Sequence, residues 1–270
     1  MSEPKGIVDN FECFLIDLDG VIWRGNRVLK EAVESVNKLI KRGKKVVFLS
    51  NNATKSRREF EGKLNLAGVM ISNENAMVVS SAYATAIFIR EELGTGSAYV
   101  VGEEGLMEEL KLAGIRVVND RFTWNMPVDY VVVGLDRTFT YEKLACAVNA
   151  IYNGAKFIAT NEDHVIPTEK GLLPGAGSIV AAISKAASRP PEYVIGKPNK
   201  YIFEVALKEA GASNEKTVVI GDRLDTDVLG ARNSGLASVL VLTGVTSNLE
   251  DVKKSKVKPD YVARKLIDIF

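Results

Sequence analysis

Phe14-Leu15-Ile16-Asp17-Leu18-Asp19-Gly20-Val21-Ile22-Trp23-Arg24-Gly25 decides the reading of this chain: a short apolar run ends abruptly in two acids one residue apart, followed by glycine. Such a run, apolar on both faces and bounded by polar residues, reads as a buried strand of a parallel sheet. The same style recurs at Val46-Val47-Phe48-Leu49, Met77-Val78-Val79, Val218-Val219-Ile220 and Val239-Leu240-Val241-Leu242. Between these runs lie amphipathic stretches from Val28 to Lys41, Ser56 to Ala67, Lys200 to Ala210 and Asp225 to Asn233. Gly43, Gly68, Gly211 and Gly235 stand where helices need a residue that tolerates positive φ. Strand and helix alternating in this way predict an α/β fold, a Rossmann-like doubly wound parallel sheet.

The middle of the chain repeats the alternation with its own elements. Strand-like runs at Tyr99 to Val101, Arg116 to Val118, Tyr130 to Val133 and Phe157 to Ala159 alternate with helix-like runs at Gly105 to Ala113, Tyr141 to Tyr152 and Ser178 to Ala187. About a hundred residues suffice for a second α/β domain. The expected organisation is therefore a core of residues 1–81 and 189–270 with a smaller α/β domain, 82–188, inserted in it, Arg189-Pro190-Pro191 being the return linker.

The whole chain has 270 residues, 46% of them hydrophobic and 26% charged, which excludes disordered, collagen-like and disulfide-scaffold classes. Lys and Arg number 35 against 34 Asp and Glu, so a net charge of +1 supplies no field that would draw the protein to nucleic acid or to an anionic membrane. Charged ligands must be held locally. Cys13 and Cys146 lie far apart in apolar surroundings, which suits two buried thiols in a reducing compartment and predicts neither a disulfide nor a zinc site. The first residues lack a basic segment with an apolar run behind it, and no stretch reaches the ~18 apolar residues of a membrane helix, so a cytoplasmic protein is expected.

Open α/β sheets bind ligands beyond the carboxyl ends of their strands. There this chain sets Asp17 and Asp19, Ser50-Asn51-Asn52, Lys197 after Tyr193-Val194-Ile195-Gly196, and Asp222 with Asp225 and Asp227. Ionised carboxylates converging at ~4 Å repel by about 4 kcal/mol per pair at an effective dielectric near 20, so a cation must join them. All-oxygen ligation suits Mg²⁺, which keeps several waters and takes further oxygens from substrate phosphate. Lys197, the Ser50 hydroxyl and loop N–H groups are suitable phosphate donors. Asp17 is placed to attack phosphorus, and Asp19 to protonate the leaving oxygen and then to deprotonate the attacking water. Hydrolysis of a phosphate monoester requires accelerations approaching ~10²¹, about 28 kcal/mol, so positioning, covalent catalysis and charge stabilisation must act together.

The first stretch resembles motif I of the haloacid dehalogenase superfamily in the form found in its p-nitrophenyl phosphatase and NagD-like branch. Leu49-Ser50-Asn51-Asn52-Ala53-Thr54-Lys55-Ser56 resembles motif II, Gly196-Lys197-Pro198 motif III, and Gly221-Asp222-Arg223-Leu224-Asp225-Thr226-Asp227 motif IV. The resemblance spans nearly the whole chain. It implies that Asp17 is nucleophile and metal ligand, that Asp19 is acid/base and ligates Mg²⁺ through its carbonyl, and that Asp222 is a further ligand with Asp227 supporting the metal's water shell. It gives Ser50, Asn51, Asn52, Lys197 and Asn161 to phosphate and substrate, and makes the insert a type 2 cap through which relatives often form homodimers. In that branch Ala159-Thr160-Asn161-Glu162-Asp163 through Pro167, and on to Pro174-Gly175-Ala176-Gly177-Ser178, faces the active site. Vitamin B6-phosphate phosphatases of the branch carry histidine just before that proline, where this chain has Ile166, so pyridoxal phosphate is disfavoured as substrate. The implied activity is Mg²⁺-dependent hydrolysis of a small soluble phosphate ester.

Other residues read more plainly. Asp225 is expected to cap the helix after motif IV. His164, the single histidine, reads as a loop residue, and no GxSxG or HExxH spacing supports another hydrolase class. Gly94-Thr95-Gly96 reads as a helix terminator, Gly196-Lys197 lacks the earlier glycine of a P-loop, and Trp23 and Trp124 read as packing residues. Lys253-Lys254-Ser255-Lys256-Val257-Lys258 is a solvated charge run. A phosphotransferase or mutase on the same core, and a non-enzymatic aspartyl-phosphate receiver, are the rival activities; the receiver gives no reason for an acid at Asp19 or for the insert.

Overall fold

The computed structural model describes residues 5–71, 75–119, 126–168 and 171–270; Trp124 and the first four residues lie outside them. The chain forms two compact units, residues 1–50, 60–79 and 197–270 in the first and 51–59 and 80–196 in the second.

The first unit is built on a parallel sheet of six strands in the order Tyr261–Ala263, Ala237–Val241, Thr217–Gly221, Cys13–Asp17, Lys45–Ser50 and Ala76–Ser80. Cys13–Asp17 lies in the middle, pairing in parallel with Thr217–Gly221 on one side and Lys45–Ser50 on the other. All five residues of Cys13–Asp17 are buried, as a strand covered on both faces requires. Helix Lys30–Lys41 buries Val33, Val36, Leu39 and Ile40 while basic Lys38 and Lys41 complement the dipole of its last turn. Phe14, Ile16, Phe48, Val218, Ile220 and Phe60 share the resulting core. Gly43, Gly68, Gly211 and Gly235 all take positive φ where helices end. The register places Asp17 opposite Leu49, one residue before Ser50, and the carboxyl ends of the central strands therefore release Asp17, Ser50 and Asp222 side by side.

The second unit holds a five-stranded parallel sheet in the order Tyr193–Val194, Lys156–Ala159, Tyr130–Val133, Ser97–Val101 and Arg116–Val117. Helices Tyr141–Tyr152 and Ala176–Ala187 cover it with a core that includes Val131, Val133, Phe157, Ala147 and Ile183. The run Tyr193-Val194, read from sequence as a core strand, pairs instead with Ile158 and Ala159, so Lys197 enters the first unit from the second sheet. An antiparallel hairpin, Val165–Thr168 with Gly171–Pro174, follows His164, which is exposed in the preceding loop. A cleft of about 360 Å³ in this unit is lined by Leu135, Arg137, Phe139, Ile166, Leu173 and Ile179 among others. Gly94 ends the helical segment Ile89–Leu93 at φ 89° and so acts as the terminator expected of it. Cys13 and Cys146 are both buried and free. Among the described residues no helix is long and apolar enough to cross a membrane.

Candidate active site

Asp17 is the last residue of its strand, and the chain turns sharply beyond it. Gly20 at φ 85° permits the turn, Gly20 N–H donates to Trp23 O (2.7 Å), and Ile22 N–H donates to Leu18 O (2.8 Å). This fold-back carries the Trp23 indole to the Asp19 carboxyl, where Nε1–H donates to Oδ1 at 2.9 Å. Trp23 is buried, in keeping with its reading as a packing residue, but its polar edge has a partner in the site that the sequence does not announce.

Lys197 is buried with its ammonium 2.5 Å from Asp17 Oδ1 and 2.7 Å from Asp227 Oδ1, and it also donates to Leu49 O at 3.4 Å. Asp17, Asp222 and Asp227 each present a carboxylate oxygen, the three lying within 4.8 Å of one another, and all three residues are buried. Fully ionised, three carboxylates against one ammonium leave two negative charges in a site largely closed to water. Burial, above all, pushes Asp17 well above the usual carboxylate range; Asp227 and Asp222 add to the push while Lys197 opposes it. Asp222 is pushed up to about 7 by burial and by Asp227, against the Val245 N–H, Lys197 and Arg223. Burial alone would lower Lys197, yet the attraction of Asp17 and Asp227 prevails and holds it protonated. Two surplus negative charges on hard oxygen donors are what a small divalent cation neutralises, so the residues present fit Mg²⁺.

Backbone approaches these carboxylates so closely that only glycine fits. A Cβ on Gly20 would lie 2.4 Å from Asp222 Oδ2 and one on Gly244 closer still, while one on Gly221 would overlap the Asp227 carboxyl. Val245 N–H donates to Asp222 Oδ2 at 2.5 Å, and Thr243 Oγ1 donates to Gly20 O at 2.7 Å, tying the loop after Ala237–Val241 to the loop after Cys13–Asp17. Asp227 Oδ2 accepts the Arg223 N–H at 3.1 Å. The expectation that Asp225 caps this helix is corrected: Asp225 is paired with the Arg223 guanidinium (2.8 and 3.1 Å), and the freed backbone donor at the helix start goes to Asp227. The helix also opens with a wide turn, Leu224–Val228, in which Val228 N–H reaches back to Arg223 O at 3.2 Å. Wide turns of this kind recur at functional sites because they re-aim a side chain, here Asp227.

Asp19, two residues beyond Asp17, is exposed. Surrounding protein raises its carboxyl above the ordinary range, while Lys63, the Trp23 N–H and Lys197 pull the other way; water reaches the residue and limits the push. Ser50 is buried at the end of Lys45–Ser50. The structure thus gathers Asp17, Asp222, Asp227 and Lys197 in the first unit, with Asp19 and Ser50 on the adjoining loop and strand end.

Asn51, Asn52 and Asn161 belong to the second unit, where protein groups engage their side chains. Asn161 Nδ2 donates to Asn51 O at 2.7 Å, a carbonyl that also accepts from Ser81 Oγ at 2.5 Å. Asn51 Nδ2 donates to Asp163 at 3.2 Å, and Asn52 Oδ1 closes a turn by accepting from Thr54 N–H (2.9 Å) and Oγ1 (2.7 Å). Gly196, directly before Lys197, donates its N–H to Thr160 O at 2.8 Å.

Comparison with known proteins follows the same lines. A family model described as haloacid dehalogenase-like hydrolase matches residues 14–116, and a HAD-hydrolase-like model matches residues 194–269. An acid sugar phosphatase of Staphylococcus saprophyticus is 38% identical over 261 residues, 97% of each chain. Among solved structures, a p-nitrophenyl phosphatase from Archaeoglobus fulgidus superposes with a TM-score of 0.88 at 38% identity, covering 96% of this chain and 98% of that one. A glycerol phosphate phosphatase from Mycobacterium tuberculosis, solved in complex with calcium, gives 0.86 at 36% identity over 98% of this chain and 76% of its own.

Proposed function

Because the chain belongs to the haloacid dehalogenase-like hydrolases, and is a phosphatase of their p-nitrophenyl phosphatase-like branch, we propose that it is a Mg²⁺-dependent monoesterase working through a phosphorylated Asp17. The observation that carries this reading is the Lys197 ammonium between Asp17 and Asp227, with Asp222 beside them.

In the first step an Asp17 carboxylate oxygen attacks phosphorus, the bond to the ester oxygen breaks, and Asp19 gives that oxygen its proton. An upward-shifted carboxyl suits this role, since it carries a proton closer to neutral pH than an ordinary aspartate. In the second step Asp19 takes a proton from water as the water attacks phosphorus, releasing inorganic phosphate and freeing Asp17. Lys197 and the Ser50 hydroxyl hold the transferred group and offset its charge. Asp17, Asp222 and the Asp19 carbonyl would hold Mg²⁺, with Asp227 occupied by Lys197 and the Arg223 N–H and acting from behind. Bound there, Mg²⁺ supplies charge neutralisation for the carboxylates and for the phosphoryl oxygens.

The substrate class is a small phosphate monoester, as the names of the relatives, acid sugar, p-nitrophenyl and glycerol phosphate phosphatases, suggest. Residues 82–188 are assigned the part of a cap that selects the leaving group. Homodimerisation through that unit belongs to the same proposal, and Leu172 and Leu173, exposed on its hairpin, suit it. Two buried, unpaired thiols support a cytoplasmic location.

The test is hydrolysis of p-nitrophenyl phosphate by Asp17→Asn and by wild type after exhaustive metal removal. The variant should lose at least about a thousandfold in kcat while circular dichroism stays unchanged, and Mg²⁺ should restore the metal-depleted enzyme. Wild-type turnover in Asp17→Asn, or full activity without a divalent cation, refutes the mechanism.

A further inference from the structure

We infer that Trp23 is a positioning residue for the acid/base step: its indole N–H claims Asp19 Oδ1 and thereby assigns the working proton of Asp19 to Oδ2. The inference rests on the reading of Asp19 given above.

The indole has little freedom. Its residue is 1% exposed, and its backbone is held on both sides, with Trp23 N–H donating to Leu18 O (3.2 Å) and Trp23 O accepting from Gly20 (2.7 Å). Nε1–H donates to Asp19 Oδ1 at 2.9 Å. The oxygen that accepts this N–H is the weaker proton site, so the acid form carries its proton on Oδ2. Lys63 Nζ lies 3.7 Å from the centroid of the same ring. A cation over the π face draws electron density from the indole and strengthens its N–H as a donor. Trp23 thus holds one oxygen still and leaves the other to exchange the proton. In the first step Oδ2 gives its proton to the ester oxygen as the bond between that oxygen and phosphorus breaks. In the second, Oδ2 regains a proton from the water whose oxygen attacks phosphorus as the Asp17 bond opens. Bulk and burial alone would require any large apolar residue at this position; the bond to Oδ1 requires the indole nitrogen.

The experiment is a series of substituted phenyl phosphates, from p-nitrophenyl to unsubstituted phenyl, hydrolysed by wild type, Trp23→Phe and Asp19→Asn with Mg²⁺ present. A weakly acidic phenol needs a proton from the enzyme to depart, whereas p-nitrophenol departs largely without one. Trp23→Phe should therefore lose at least about tenfold more kcat/KM on phenyl phosphate than on p-nitrophenyl phosphate, about 1.4 kcal/mol. Each ratio is taken within one preparation, so a partly misfolded fraction cancels. An equal loss on both substrates means Trp23 only packs, and overturns the inference. Asp19→Asn should show the same steep dependence; if it keeps the wild-type dependence instead, the acid role of Asp19 is what fails.

Discussion

The Lys197 ammonium lies 2.5 Å from Asp17 and 2.7 Å from Asp227, so the site contains its own cation before any metal enters. Removing one member of a buried ion pair costs about 3–5 kcal/mol, because the partner keeps its charge without compensation. Lys197→Met should therefore lower Tm, and Mg²⁺ should raise Tm more in the variant than in wild type. Activity should fall about 10²–10³-fold even in saturating Mg²⁺, because a donor to the phosphoryl group is lost. Thermal scans with and without Mg²⁺, beside steady-state assays, check both statements.

Without a divalent cation, the sign of the pH dependence follows from the acids of the site. Asp17 and Asp222 are raised in the folded state, Asp222 from 3.8 to about 7. Between those values the native protein binds more protons than the unfolded chain, so stability falls as pH rises through that window. In EDTA, Tm should be lower by several degrees at about pH 8 than at about pH 5. Mg²⁺ should flatten the profile by favouring the ionised carboxylates, and metal affinity should weaken on acidification. A Tm in EDTA that climbs steadily across the window contradicts this assignment.

Asn161, assigned to substrate by resemblance, spends its amide on the Asn51 carbonyl at 2.7 Å. Asn161→Ala should destabilise the fold by about 1–3 kcal/mol, since a buried acceptor loses one of its donors. Its effect on kcat/KM should be the same factor for phosphate esters with different leaving groups, because its amide is already engaged by the protein. A loss confined to one leaving group would show direct contact with substrate instead.

Cys13 is buried at the start of the first unit's central strand, and burial pushes its thiol up to about 11 despite Thr217 and Lys45. A thiol reagent near pH 8 should leave Cys13 and Cys146 of the native protein unmodified, while both react once denaturant is added. Rapid labelling of native protein would contradict the burial of these side chains.

Much of this arrangement is legible before any coordinates are known. Asp17, Ser50 and Asp222 each follow a run apolar on both faces, and parallel strands must end on the same side, so their convergence follows from the pattern itself. Lys197 is different: Tyr193 and Val194 look like another core strand, yet they pair with Ile158 and Ala159, and nothing local in so short a run chooses between two sheets. Helix Ser81–Phe88 carries no amphipathic stripe because all eight residues are buried, which removes the period that identifies a surface helix. Ser80 was the available signal, since its hydroxyl accepts the Tyr83 N–H as an N-cap. The hairpin Val165–Thr168 with Gly171–Pro174 leaves Leu172 and Leu173 exposed, so its pattern does not alternate with burial. The bond from Trp23 to Asp19 depends on a fold-back around Gly20 whose outcome no spacing rule specifies.

Gly20, Gly221 and Gly244 have no functional group to lose, yet the acids rest directly against their backbones. Alanine at any of them inserts a methyl group into space already filled by carboxylate oxygen, displacing Asp222 or Asp227 without touching either. A random search for dead variants of this enzyme should therefore recover these three positions alongside the acids themselves. Inactivation by one added carbon, with every reactive residue still in place, marks a centre whose shape is set by how closely its loops approach.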